Sequence, residues 1–275
     1  MQVFLRSSFL SLYLLVCVLS ASAQSLKPQG TFEKQQNVIT GGYSFWLYKP
    51  ADYIDDDHDF PLIIFLHGAS LCGRNLNKVR RYGVLDAIDH GKIIPTLVVA
   101  PQNPGGAWSP SKLNDLLEWM KSHYRVDSTR VYVLGMSLGG YGTMDFVGTY
   151  PDKIAAAMAL CGGCSLKNQD GLGRVPLWIM HGTADRAVSI KESKKVVEYL
   201  QQKDMDHLLR YDWMQGGGHG APARLFYLQK TYDWLFYHSL KDSPREIDRS
   251  FDITPEDIKT TYQELRALPH MYDKD

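Results

Sequence analysis

The sequence predicts an α/β fold: a doubly wound, mostly parallel sheet of about eight strands, with an N-terminal hairpin and helices on both faces. Short runs that are apolar throughout, such as "PLIIFLHG", "TLVVAPQ" and "VPLWIMHG", recur along the chain, as expected of strands covered on both sides. Amphipathic stretches alternate with them. In "KLNDLLEWMKSHY" the apolar Leu113, Leu116, Leu117 and Met120 fall at helical spacing. No internal repeat and no linker divides the alternation.

The elements follow in order. "QQNVITGGYSFWLYKP" (Gln35 to Pro50) reads as two short strands around Gly41-Gly42, a hairpin signal. "PLIIFLHG" (Pro61 to Gly68) is a buried strand, and a helix is expected around Val79 to His90. "TLVVAPQ" (Thr96 to Gln102) is the next strand, followed by the helix over Lys112 to Tyr124. "RVYVLGM" (Arg130 to Met136) is a strand, and Leu138 to Tyr150 is helical until Pro151 stops it. "IAAAMALCG" and "VPLWIMHG" are two more strands, and Ser189 caps a helix carrying Val196, Val197 and Leu200. "HLLRYDWM" (His207 to Met214) is the last strand, with one long helix expected over Ala221 to Leu240. The segment from Lys241 is polar and loses this rhythm. Within it "ITPEDIKTTYQELRAL" predicts one helix, with Thr254 as cap and Pro255 in the first turn. The expected organisation is a leader over 1–23, one α/β domain over 24–240 and a helical extension over 241–275.

The leader reading rests on Arg6, the apolar run Phe9 to Ser20 and the small residues Ala21 to Ala23, the pattern of a cleavable export signal. Cys17 follows Val16, where a lipid-attachment site wants a small residue. Export to the periplasm or the medium is expected, with no membrane association after cleavage. The 275 residues are 44% hydrophobic and 22% charged, with 30 basic residues balancing 30 acidic ones. That balance makes no electrostatic case for nucleic acid or an anionic membrane as partner. Beyond the leader three cysteines remain, Cys72, Cys161 and Cys164. An odd count allows at most one internal disulfide. Cys161-Gly162-Gly163-Cys164 is formally a C-x-x-C, but it ends an apolar run outside any thioredoxin-like context, so buried or incidental thiols are expected. Further zinc ligands at suitable spacing are missing.

In such a sheet the loops after the carboxyl ends of the strands gather on one edge, where ligands bind. Ser137, within the G-x-S-x-G of "VYVLGMSLGGYG", follows one strand. Asp185 follows "PLWIMHGTA", and His219 lies in the glycine-rich "MQGGGHGAPA" after the last strand. A serine hydroxyl near neutral pH needs an imidazole to take its proton, and that imidazole needs a carboxylate to hold its tautomer and stabilise its charge. Gly135 and Gly139 let strand turn sharply into helix, and the start of that helix offers the Leu138 N–H to a developing oxyanion. Each piece has a bland counterpart, since G-x-S-x-G recurs by chance and Asp185 and His219 suit ordinary polar loops. Their conjunction, each after its own strand in the order Ser, Asp, His, is what carries the reading. The remaining histidines, His58, His90, His123, His207, His238 and His270, suit surface or structural positions.

These motifs resemble small exported α/β-hydrolases of the feruloyl esterase, polyhydroxybutyrate depolymerase and dienelactone hydrolase kind. The resemblance runs from about Gly42 to Leu240 and rests on "PLIIFLHGAS", "VVAPQNPGGAW", "GMSLGGYGT", "PDKIAAAMALCGG", "PLWIMHGTADRAV" and "GGGHG". It implies the α/β-hydrolase fold, a Ser137–Asp185–His219 triad and no metal or organic cofactor. The H-G-x element His67-Gly68-Ala69 points to Ala69 as second oxyanion donor, with Ser70 as helper. The P-Q…W segment would bring Gln102 and Trp108 to line a substrate pocket, an ordinary packed aromatic being the alternative for Trp108. The segment from Asn168 to Val175 is short, with little room for a lid. A serine carboxylesterase acting on small or carbohydrate-linked esters, such as feruloyl or acetyl esters of plant polysaccharide, is the leading expectation. A small serine peptidase or amidase of the prolyl oligopeptidase type ranks below it, because nothing offers an amino-terminus anchor. No large accessory domain is expected, since only about twenty residues separate the leader from the first hairpin. A catalytically silent binding protein ranks last, since all three triad positions are filled.

Overall fold

The computed structural model describes residues 30–249 and 252–266. The leader expected over 1–23 and His270 lie outside these residues. Eight strands form a single sheet: β1 (Thr31–Gln35), β2 (Phe45–Lys49), β3 (Phe60–Leu66), β4 (Leu97–Pro101), β5 (Val126–Met136), β6 (Ala156–Leu160), β7 (Leu177–Gly182) and β8 (Leu209–Met214). Their order is β1-β2-β4-β3-β5-β6-β7-β8. β1 pairs with β2, and β2 with β4, antiparallel, while every later pairing is parallel. This is the architecture of the α/β-hydrolase fold, as the sequence predicts.

The strands are apolar throughout because successive side chains feed opposite layers. Leu62, Ile64, Leu66, Val133, Ala157 and Ile179 pack under α2 (Pro110–His123), α3 (Leu138–Thr149) and α4 (Lys191–Gln202). Ile63, Phe65, Leu134, Met158, Trp178 and Met180 face the other way, toward α1 (Val84–Asp89) and α5 (Gln229–Phe236). Burying an aliphatic or aromatic side chain on either face is worth roughly 1.5–3 kcal/mol, so both layers are needed to hold so apolar a sheet.

Three expectations on element boundaries are corrected. The first hairpin strand is Thr31–Gln35, so Gly41-Gly42 sits late in a longer loop, where the Gly42 N–H donates to Ile39 O at 3.0 Å. The helix expected over Val79–His90 is split into a 3-10 segment, Leu76–Arg80, and α1, because Gly83 turns the chain with φ +92°. The long helix over Ala221–Leu240 is likewise a 3-10 segment, Ala221–Tyr227, followed by α5. Leu228 between them is extended, and the hydroxyls of Thr231 and Tyr232 take up the carbonyls of Leu225 and Phe226.

The polar segment after residue 240 straps the edge where the parallel strands begin. Arg245 donates to the carbonyls of Arg174, Ile154 and Ala155, and Arg249 to those of His207 and Leu209. Helix α6 (Pro255–Arg266) follows, with the Thr254 hydroxyl accepting the Asp257 N–H at 3.1 Å, the cap its sequence signals. It docks on the same chain through Arg224 to Ile258 O and Lys230 to Asp257. No helix among the described residues is long and apolar enough to cross a membrane.

Candidate active site

Ser137 stands between β5 and α3 with φ +59° and ψ −121°, a left-handed backbone that costs a non-glycine residue on the order of 1–3 kcal/mol. The surroundings enforce it. The Ser137 N–H donates to Leu160 O on β6 at 2.8 Å. The flanking glycines are required by contact: a Cβ on Gly139 would lie 1.8 Å from Leu66 O, and one on Gly135 would lie 2.2 Å from Gly139 O. The same contact seats the elbow against the end of β3. The N–H groups of Leu138 and Ala69 have no protein acceptor among the described residues. A Cβ on Gly68, the residue before Ala69, would lie 3.3 Å from Ser137 Cβ.

Asp185 and His219 are brought together by loops that are themselves stitched. Thr183 N–H donates to Met214 O, Ala184 N–H to Gly217 O, and Gly216 N–H to the Thr183 hydroxyl. Within that frame His219 Nδ1 lies 2.7 Å from Asp185 Oδ2. The Asp185 side chain is fully buried, and His219 is 28% exposed. Asp185 Oδ1 accepts the N–H groups of Ala187 at 2.8 Å and Val188 at 2.9 Å. Burial alone would raise the Asp185 carboxyl, but the His219 hydrogen bond and these amide donors outweigh it and hold it below the usual carboxylate range.

No hydrogen bond joins Ser137 to His219 among the described residues; such bonds often form only once substrate is bound. Their shared location is fixed through β6. Leu160 accepts from the Ser137 N–H, and the thiol of the next residue, Cys161, reaches His219 O at 3.5 Å. Cys161, Asp185 and His219 have ligand atoms within 4.8 Å of one another. Both nearest atoms of the acid and the imidazole are already spent on each other, and burial pushes the Cys161 thiol up to about 12, so the cluster is poorly suited to a metal ion. Cys72, Cys161 and Cys164 are all free thiols.

The residues expected around the pocket separate into two groups. Ala69 and Ser70 are exposed beside the elbow. Gln102 and Trp108 are 5% and 3% exposed and stand behind the loop after β3. Gln102 Nε2 donates to Leu71 O, Trp108 Nε1 donates to His67 O, and the indole fills the space where Gly142 lacks a side chain. An open hollow of ~550 Å³ lined by Lys49, Tyr53, His123 and Arg125 lies where β5 begins, on the edge opposite Ser137.

Three residues without an assigned role in the sequence reading bear on this site. His67 is fully buried; its Nδ1 meets Gly68 O at 2.8 Å and its Nε2 accepts the Asn103 N–H at 3.0 Å, pinning the loop that carries Ala69. Tyr82 places its hydroxyl on the Gly68 N–H at 2.5 Å. His181, also fully buried, lies 3.2 Å from Asp185 Oδ2. A shared signal was present for both histidines: β3 and β7 each begin near Pro-Leu and run into His-Gly, at His67-Gly68 and His181-Gly182. A histidine ending an apolar strand is buried, and buried imidazoles need partners.

No family model matches the chain. Over 160 residues it is 32% identical to a bifunctional acetylxylan esterase/xylanase of Neocallimastix patriciarum, covering 55% of this chain and 22% of that protein. Over 191 residues it is 27% identical to a probable acetylxylan esterase A of Aspergillus flavus, covering 59% of each. The matches thus span less than two thirds of either relative. Among solved structures a thermostable esterase superposes with a TM-score of 0.65 at 25% identity, covering 77% of this chain and 63% of that one. The chain has the α/β-hydrolase fold; these curated relatives are acetylxylan esterases and the superposed structure is an esterase, in keeping with the feruloyl esterase-like group that its motifs resemble.

Proposed function

We propose that the protein is an exported serine carboxylesterase that removes small acyl groups, acetyl in the first place, from a carbohydrate-linked ester. The observation that carries this reading is the Asp185–His219 pair, its carboxylate buried, at the sheet edge that also holds Ser137 in its strained elbow. Ser137 Oγ attacks the ester carbonyl while His219 Nε2 takes its proton, the Nδ1–H remaining on Asp185. The oxyanion is held by the N–H groups of Leu138 and Ala69, each donor worth about 3 kcal/mol of barrier. Collapse passes the proton from Nε2 to the departing alcohol and leaves an acyl-Ser137. Water, deprotonated by His219, then releases the acid and restores the serine hydroxyl.

The acyl preference follows from packing. Trp108 and Gln102 are buried behind the oxyanion loop, so neither presents a face to a feruloyl ring, whereas an acetyl methyl needs little room. After β6 the chain makes only a short 3-10 segment, Asp170–Arg174, so this connection supplies no lid over a bulky alcohol. The likeness to acetylxylan esterases supports both points, and the amide-cleaving alternative is less favoured. Export rests on the expected leader alone.

The test compares wild type and Ser137→Ala on p-nitrophenyl acetate, acetylated xylan and methyl ferulate. Loss of acetate release in the variant by about 10⁴-fold or more is expected. Equal rates from the two proteins would discard the esterase reading, and faster turnover of methyl ferulate than of the acetyl esters would discard the acyl preference.

A further inference from the structure

The acid of this site has more partners than a three-residue relay requires. Its Oδ2 accepts His219 Nδ1 at 2.7 Å and also stands 3.2 Å from Nε2 of His181. His181 is the penultimate residue of β7, and its side chain is fully buried. The same Nε2 makes its shorter hydrogen bond to Val188 O at 3.0 Å, so Asp185 Oδ2 takes the longer branch of a shared N–H. Two acceptors around one ring nitrogen require that nitrogen to carry the proton. On the other side of the ring the Ser193 hydroxyl on α4, 2.8 Å from Nδ1 and 2.7 Å from Gly162 O, divides its one proton between these two acceptors in a bifurcated bond. Gly162 packs on the first turn of α3: a Cβ on Gly140 would lie 3.2 Å from Gly162 Cα. One buried imidazole thus ties the acid loop to α4 and to the backbone under the Ser137 elbow.

The geometry points to His181 as a positioning residue: its Nε2–H holds the Asp185 carboxylate, shares Oδ2 with His219 and moderates the pull of that carboxylate on the His219 imidazole. The inference rests on the esterase reading above and deepens it. A carboxylate oxygen that accepts two N–H groups is less basic than one that accepts a single N–H. Removing the His181 donor leaves Oδ2 more basic, strengthens its pull on the His219 Nδ1–H and favours the imidazolium. The titratable groups facing Asp185 are His219 from the loop after β8, His181 from β7 and the Cys161 thiol at the end of β6. Burial holds His181 below the usual imidazole range, so it serves as a neutral donor.

Two substitutions separate positioning from mere packing. Gln places an amide N–H near the former Nε2, while Asn places one near Nδ1 and abandons Asp185. His181→Asn is expected to lower kcat about tenfold, the scale of a hydrogen bond to a charged group, with KM unchanged and the acid limb of the pH profile moved to higher pH. His181→Gln is expected to recover most of kcat and the original limb. A readout free of substrate is the proton resonance of the His219 Nδ1–H, which should move in His181→Asn and stay in His181→Gln. In wild type, nitrogen shifts should report the Nε2–H tautomer of His181. Finding the Nδ1–H tautomer overturns the assignment without any variant. So does a folded His181→Asn with wild-type kcat, acid limb and resonance. If Ser137→Ala retains ester hydrolysis, the esterase reading falls while the resonance still decides the His181–Asp185 link.

Discussion

His219 Nδ1 and Asp185 Oδ2 are 2.7 Å apart, on a carboxylate whose side chain is fully buried and whose other oxygen is taken by two backbone N–H groups. The imidazole therefore has one neutral tautomer open to it, with the proton on Nδ1 and a lone pair on Nε2. Asp185→Asn should lower kcat by roughly 10³–10⁴-fold, because the amide can present a donor to Nδ1 and reverse the tautomer. The substitution also tests linkage. The folded carboxyl is held below its unfolded value, near 3.9, so its contribution to stability is complete above that pH and is lost as pH falls through the depressed folded value. Thermal melts from pH 6 to pH 3 should show the difference between wild type and Asp185→Asn constant at the upper end and shrinking at the lower. A difference that persists undiminished at pH 3 contradicts the depressed carboxyl.

Backbone packing at the elbow makes a separate prediction. A methyl on Gly139 meets the Leu66 carbonyl oxygen at 1.8 Å, where no side-chain rotation relieves it. Gly139→Ala should destabilise the protein by about 2–4 kcal/mol in urea unfolding. It should also depress kcat, since the displaced segment carries Ser137. Near-wild-type stability would show that α3 and β3 are not in contact there.

His238 sets part of the acid sensitivity of the fold. Its side chain is completely buried, neither ring nitrogen has a hydrogen-bond partner among the described residues, and the ring stands edge-on to Trp234 at 4.8 Å. Burial pushes it down to about 4. The neutral ring is therefore preferred in the fold, and its contribution is complete above the unfolded value near 6.5 and lost as pH falls from there toward 4. The total is roughly 3 kcal/mol at most. His67 and His181 are lowered in the same direction. His238→Phe should keep the packing and flatten part of the decline in melting temperature between pH 7 and pH 4. An unchanged slope would mean that His238 carries none of it.

Arg245 tests whether the segment after residue 240 belongs to the domain. Its guanidinium takes the carbonyls of Ile154, Ala155 and Arg174 at the edge opposite Ser137. Arg245→Ala should cost about 1–3 kcal/mol in urea unfolding and leave kcat/KM unchanged. Loss of activity without loss of stability would show that the strap communicates with the site.

The sequence by itself determined the alternation of strands and helices and the sheet edge to which Ser137, Asp185 and His219 come in that order, because apolar period and turn chemistry are written within ten or so adjacent residues. It also located the α6 cap at Thr254. Which side chains meet across that edge was decided by tertiary structure. Trp108 reads equally as pocket wall or packed ring until the bare Cα of Gly142 is set against it. His67 and Asn103 meet only because β3 lies beside β4, and Asp185 and His219 only because β7 lies beside β8. The strap of Arg245 and Arg249 depends on carbonyls exposed where the strands begin, which no local pattern announces. Hydrogen bonds between distant loops are set by strand order and register, and these are settled only when the whole sheet has closed its two layers.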